Sequence, residues 1–352
     1  MRSLLLAALG ALILGVGVTL GPWHEAWRLE IHPELACILG WIAGFVPGSA
    51  FGWGLAVLLL VALHAGLSVR RGWRSRLGVL ALLIISVLAT GILGFGVLHG
   101  ARTHSERLGG PHLGATTSPG DKALEGLERA LRAAVEGHLR AGVHTQPLEE
   151  DELASVLAAA YDQLLPEAPW LAGPETPPVL SLPRGLLAGL GISGFYSPWT
   201  GEPHVEAGLP RISVLAVAAH EWAHMRGEAR EDEASFVGWQ ALAGSWDPRA
   251  RLSGHFELLR QVWRELGRVR PSSLGEALEQ ASPELLALEA EVAAWWLEAR
   301  TPAAGVARAS NDLYLRAAGD ARGVASYAGV VALVMRDDWP RRIRREPPSS
   351  PR

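Results

Sequence analysis

Hydrophobic and polar positions follow two regimes along the chain. Over the first hundred residues charges are sparse and apolar runs are long: 4–20, 51–67 and 77–98 each have the length to cross a bilayer as helix at about 1.5 Å per residue. The run 36–46 is too short to span and stops at Pro47-Gly48, so it reads as an interfacial or re-entrant piece. A small-x-small cleavage site is missing after the first run, which favours a retained span over a removed leader. His64, inside the second run, has no acidic partner there and reads as packed.

Beyond residue 100 the pattern changes. A Gly, Ser, Thr and His-rich linker, 101–119, leaves His104 and His112 in solvent. Leu124, Leu127, Leu131, Ala134 and Leu139 then recur at helical spacing with charges between them, and 149–165 repeats the pattern. The proline-rich stretch 166–183 is irregular, 186–190 is a short helix, and Glu202 to Gly208 is the candidate edge strand. Further helices are expected over 251–266, 273–300, 311–318 and 323–335; Trp295 and Trp296 lie on the apolar face of the second and fill core. The Arg- and Pro-rich tail 336–352 has little to bury and is expected to be disordered. The fold class is therefore a mainly α membrane protein, transmembrane helices in 1–100 followed by a predominantly helical domain over 120–335 with a small β element.

Composition sharpens this picture. Hydrophobic residues make up 49% of the 352 and charged residues only 19%, as expected for a chain with membrane segments. A net charge of −4 provides no basic surface, so nucleic acid is excluded as a partner. A single cysteine, Cys37, excludes an internal disulfide and a cysteine-based zinc site. Four arginines between residues 70 and 76 place that loop on the cytoplasmic side, and with three spans the domain after 98 is extracytoplasmic. A fourth crossing at 36–46 would reverse it.

The chemistry centres on His220-Glu221-Trp222-Ala223-His224, an H-E-x-x-H pattern within an uncharged run. On a helix, residues four apart share a face, so His220 and His224 can turn imidazole nitrogens toward one metal ion. Glu221 lies about 100° round the helix, where it reaches a water beside the metal without ligating. Catalytic zinc usually takes three protein ligands. Gly227 can end the helix in a left-handed conformation and a second helix, starting near Ala229, carries Glu231 and Glu233 back to the metal. Glu231 is the better third ligand, because Ala234 allows close helix packing and Ser235 can hold the site from behind; Glu233 is the runner-up. Arg230 stands where a third histidine would stand in the H-E-x-x-H-x-x-G-x-x-H class. His255, Tyr314 and Tyr327 are candidate oxyanion donors, and His204 is a loop histidine expected to be exposed.

The run from His220 to Phe236, with Gly227, Glu231, Glu233 and Ala234 in place, resembles a family of uncharacterised bacterial membrane proteins with a zincin-like domain of unknown function. Two further stretches share the resemblance, 191–210 and 323–331, and the second of them puts Tyr327 first among the oxyanion candidates. The sequence departs from the pattern at Leu252-Ser253-Gly254-His255 and at Ser235. The resemblance implies a multi-pass protein of the bacterial inner membrane with metallopeptidase chemistry. The expected function is zinc-dependent hydrolysis of peptide bonds in proteins or peptides near the membrane: one zinc per chain on His220, His224 and Glu231, with Glu221 as general base. The alternative is a non-catalytic membrane sensor or scaffold with a structural or peptide-binding zinc site, for which Glu221 would have no use.

Overall fold

A computed structural model describes residues 21–46, 49–67, 95–109, 121–181, 184–317, 320–337 and 339–344. The chain is mainly helical. A short helix Gly21–Ala26 and a π-helical turn Trp27–Ile31 lead into α1 (His32–Ala43), and α2 spans Ala50–Leu67. Later come α3 (Asp121–Arg140), α4 (Glu150–Asp162), α5 (Arg211–Met225), α6 (Glu231–Gly244), α7 (Pro248–Val269), α8 (Pro271–Gln280), α9 (Pro283–Ala299) and α10 (Ala303–Ala317). A 3-10 turn Gly323–Gly329 and short helices Val330–Val334 and Trp339–Arg344 follow.

The leucines that mark α3 at helical spacing, Leu124, Leu127 and Leu131, are fully buried against Phe256, Leu259 and Val262 of α7 and against Val330, Val331 and Val334. A second apolar cluster joins Leu153, Leu157 and Tyr161 of α4 to Leu215 and Trp222 of α5 and Val237 and Leu242 of α6. Burying each such side chain contributes about 1.5–3 kcal/mol, so the motif helix is clamped on both flanks. Tyr161 adds a donor, its hydroxyl bonding the Ala219 carbonyl at 2.5 Å. The Arg226 guanidinium lies over the Tyr161 and Trp222 rings, 4.5 and 5.0 Å from their centroids.

The β element is a three-stranded sheet in the order β1-β3-β2, from β1 (Val179–Ser181), β2 (Gly194–Ser197) and β3 (Glu202–Glu206). β3 runs parallel to β1 and antiparallel to β2, with Phe195 opposite His204 and Gly194 opposite Val205. The expected strand at 202–208 therefore exists, over Glu202–Glu206, but is central and wholly buried, and β1 and β2 are the edges. β1 comes from the stretch expected to be irregular.

Other expectations change too. The helix expected over 273–300 is broken: Ser282 caps a new helix by accepting from Leu285 N at 3.3 Å, and Pro283, in its first turn, removes a donor that α8 would need to continue. The linker is folded at 101–109, where Thr103 and Glu106 form a capping box and His104 is buried, its Nε2 2.7 Å from Gln240 Oε1. His112 lies outside the described residues. The tail is helical over Trp339–Arg344, where Ile343 packs against the α3 and α7 core. His204 is buried, stacked on Phe195 with centroids 4.5 Å apart.

The N-terminal segments are built into the domain. Arg28 forms a buried ion pair with Glu228, and His32 Nε2 is 3.1 Å from the Met225 carbonyl. Glu202 accepts from Ala50 N at 2.9 Å and Phe51 N at 2.8 Å, a carboxylate at the positive end of α2. Among the described residues no helix is long and apolar enough to cross a membrane. The expected span 4–20 and most of 77–98 lie outside the described residues, and 51–67 falls within α2.

Candidate metal centre

Helix α5 carries the H-E-x-x-H residues and stops where its glycine predicts. Gly227 has φ +89°, its N–H bonds His224 O at 3.0 Å, and Glu228 N reaches back to Ala223 O at 3.0 Å. This left-handed cap turns the chain so that α6, starting at Glu231, crosses back over α5. The crossing is close because Gly238 lacks a side chain: a Cβ there would lie 3.2 Å from the backbone C of Ala219 and N of His220. Ala234, one turn before it, is fully buried, as the close-packing argument requires.

The result is a compact triangle of donor atoms. Nε2 of His220 is 3.0 Å from Nε2 of His224 and 3.1 Å from Oε2 of Glu231, and Nε2 of His224 is 3.4 Å from that oxygen. Ligands about 2.0–2.1 Å from one tetrahedral zinc stand roughly 3.3 Å apart, so the residues fit the ion. Both imidazoles are held from behind. His224 Nδ1 lies 2.6 Å from the Glu228 carbonyl, which can only accept, so Nδ1 carries a proton and Nε2 is the nitrogen for the metal. His220 Nδ1 is 3.1 Å from Ser235 Oγ. Among the described residues these three form the group of His, Cys, Asp or Glu able to share an ion, with donor atoms within 4.8 Å of one another.

Electrostatics match the geometry. Burial opposes charge on His224, yet the Glu231 carboxylate outweighs it and lifts the imidazole to about 9. Burial would raise Glu231, but His224 and His220 hold it well below the usual carboxylate range. Glu221 is buried, and that burial lifts its carboxyl to about 7 against the pull of the two histidines. Its Oε2 has no hydrogen-bond partner among the described residues. A Cβ on Gly194 would lie 2.9 Å from Glu221 Oε1, so the β2 backbone passes directly beside this carboxylate.

The runner-up ligand points elsewhere. Two residues on a helix are about 200° apart, and Glu233 faces away from the triangle to accept from the N–H of Ser105 at 3.0 Å and from its hydroxyl. Burial lifts Glu233 to about 7. Tyr327 is brought to the centre on the Glu231 side: its hydroxyl interacts with that carboxylate, receives Asn311 Nδ2 at 3.4 Å, and is pushed far up by burial. The loop that delivers it is tied down by Arg322, which bonds Asp232 at 2.7 Å and Asp320 at 2.8 Å. Gly329 packs there with no room for a side chain, since a Cβ would meet Asp232 Oδ2 at 2.6 Å.

His255 is not brought to the centre. It is buried between α7 and α3, its ring stacked on His138 at 6.5 Å, and no described interaction joins it to His220, His224 or Glu231. The reason is the register of α7: the face that meets α5 is carried by Ser253, which bonds Ala216 N at 3.0 Å, and His255 points two residues round from it. Sequence reasoning missed Phe95 and His99. Phe95 lays its ring against His224 at 5.7 Å, and His99 follows one turn later within electrostatic reach of Glu231 and His224. Both stand at the edge of an apolar run, where nothing in the local pattern marks them.

No curated protein and no solved structure matches the chain. A family model described as protein of unknown function (DUF3810) matches residues 28–335. Spanning the N-terminal helices, the sheet, both motif helices and the Tyr327 loop, that match covers most of the chain, which therefore belongs to this family of unknown function.

Proposed function

We propose that the chain is a membrane-anchored zinc metallopeptidase acting on proteins or peptides close to the bilayer. The observation that carries the reading is the pairing of a three-donor triangle of zinc dimensions with a buried Glu221 carboxylate, its Oε2 without a partner among the described residues, beside an edge strand. A zinc ion on His220, His224 and Glu231 would polarise the scissile carbonyl and acidify water. Glu221 then takes the proton of the attacking water and passes it to the departing amine, and burial suits it to both by setting its affinity for protons near neutrality. The outer edge of β2 offers unpaired backbone donors and acceptors to an extended peptide, and Gly194 brings that edge against Glu221. Tyr327 stands on the Glu231 side of the centre, where Asn311 donates to its hydroxyl.

The membrane part of the proposal rests on sequence runs 4–20 and 77–98 and on the surface of α1 and α2. Ile38, Trp41, Ile42 and Phe45 recur at helical spacing on α1 and just beyond its end, and all are exposed, Trp41 at 68% and Phe45 at 69%. α2 has no Asp, Glu, Lys or Arg and exposes Trp53, Val57, Leu60 and Leu63. Such a surface suits lipid better than water.

The test is zinc content by mass spectrometry on purified, detergent-solubilised full chain. About one zinc per chain is expected, lost in His220→Ala and in Glu231→Ala, and retained in Glu221→Gln, which should no longer cleave a mixed peptide pool. Wild-type protein that takes up no zinc ends the reading. Zinc uptake with undiminished cleavage in Glu221→Gln removes the assigned mechanism.

A further inference from the structure

His99 comes to the centre from the segment 95–109, far in sequence from the motif. The turn Gly96–Gly100 starts at Phe95, whose ring lies edge-on against His224 at 5.7 Å and against Tyr196 of β2 at 5.6 Å. One turn on, His99 meets Tyr314 of α10 with centroids 6.4 Å apart, and it feels the charges of Glu231 and His224. It stands outside the ligand triangle. Both its ring nitrogens are shut off from solvent, and among the described residues neither has a hydrogen-bond partner. A buried polar atom without a partner costs about 1–3 kcal/mol, and such groups persist where a ligand supplies the partner. An imidazole always carries at least one N–H. The turn that carries His99 thus starts from a ring in contact with both the β2 strand and the candidate ligand His224.

Resting on the metallopeptidase reading above, we propose that His99 is a catalytic residue of this centre, donating a hydrogen bond to the scissile carbonyl oxygen as that oxygen gains negative charge. The role is the one for which the sequence offered Tyr327, Tyr314 and His255. The bond forms to the substrate oxygen alone; the protons of hydrolysis stay with Glu221. Removing one such donor typically lowers kcat by about 10²–10³-fold with little change in ground-state binding.

The experiment uses zinc-loaded full-length wild type, His99→Ala and His99→Gln, with a phosphinic tripeptide as probe, because its tetrahedral anionic phosphorus group presents oxygen as the reacting carbonyl does. Calorimetry should show the probe binding about a hundredfold more weakly to His99→Ala, with zinc per chain unchanged and KM for peptide cleavage within a few-fold of wild type. His99→Gln, which keeps a donor, should recover part of the loss. Equal probe affinity in wild type and His99→Ala overturns the assignment and leaves the metallopeptidase reading standing, as does loss of zinc in His99→Ala and His99→Gln alike. Wild type that binds zinc but neither the probe nor any peptide sinks the metallopeptidase reading, and the role of His99 with it.

Discussion

Among the described residues two pairs of histidines lie ring against ring, and they behave in opposite ways. His220 and His224 meet edge to face at 4.6 Å, each with a partner at Nδ1 and with Glu231 between their Nε2 atoms. His138 and His255 stack at 6.5 Å with no carboxylate described against them, and His255 Nδ1 has no partner among the described residues. Burial acts on both pairs, yet His224 is lifted to about 9, whereas His138 falls to about 4 and His255 to about 3. Proximity of imidazoles is thus not what sets the candidate metal centre apart. A carboxylate on the open side and hydrogen-bond partners behind, which fix which nitrogen is free, make the difference.

The sharpest way to break this comparison is to delete one histidine from each pair. His224→Ala should abolish stoichiometric zinc binding, and His138→Ala should leave it intact, both read by metal analysis after dialysis against chelator-treated buffer. A smaller effect is expected behind the ligands. Ser235→Ala leaves the donor triangle but frees the His220 ring, and zinc affinity should fall about 10–100-fold in a competitive chelator titration.

Proton linkage sharpens the contrast further. Lifted to about 9, His224 is charged in the zinc-free protein at pH 7 and must lose its proton to ligate, so apparent zinc affinity should rise about tenfold per pH unit from 7 toward 9. Calorimetry in buffers of different ionisation enthalpy should register the released proton. The other pair should report in stability. His138 and His255 have folded values below their ordinary 6.5, so the neutral forms are favoured by folding: their contribution is complete above pH 6.5 and is lost as pH falls toward 4 and 3. Melting temperature should fall from pH 7 to pH 4.5, and less steeply in His255→Gln. The slope is at most about 1.4 kcal/mol per pH unit for each group.

Local periodicity alone determined much of this protein. The leucine spacing of α3, the amphipathic α4, the left-handed stop at Gly227 and the shared face of His220 and His224 follow from rules acting within one or two helical turns. Short-range signals also existed where the expected elements differ from those seen, as at Ser282-Pro283, whose cap and imino ring divide one apolar pattern into two helices. What the tertiary structure alone decided was which distant groups meet the centre. Gly238 sets how near α6 approaches α5, the pairing of β1 with β3 makes β2 the edge beside Glu221, and the register of α7 turns His255 toward α3. His99 and Tyr327 reach one carboxylate from segments more than two hundred residues apart. Such meetings depend on helix crossings and strand order, which contacts across the whole chain fix together, and no window of sequence contains them.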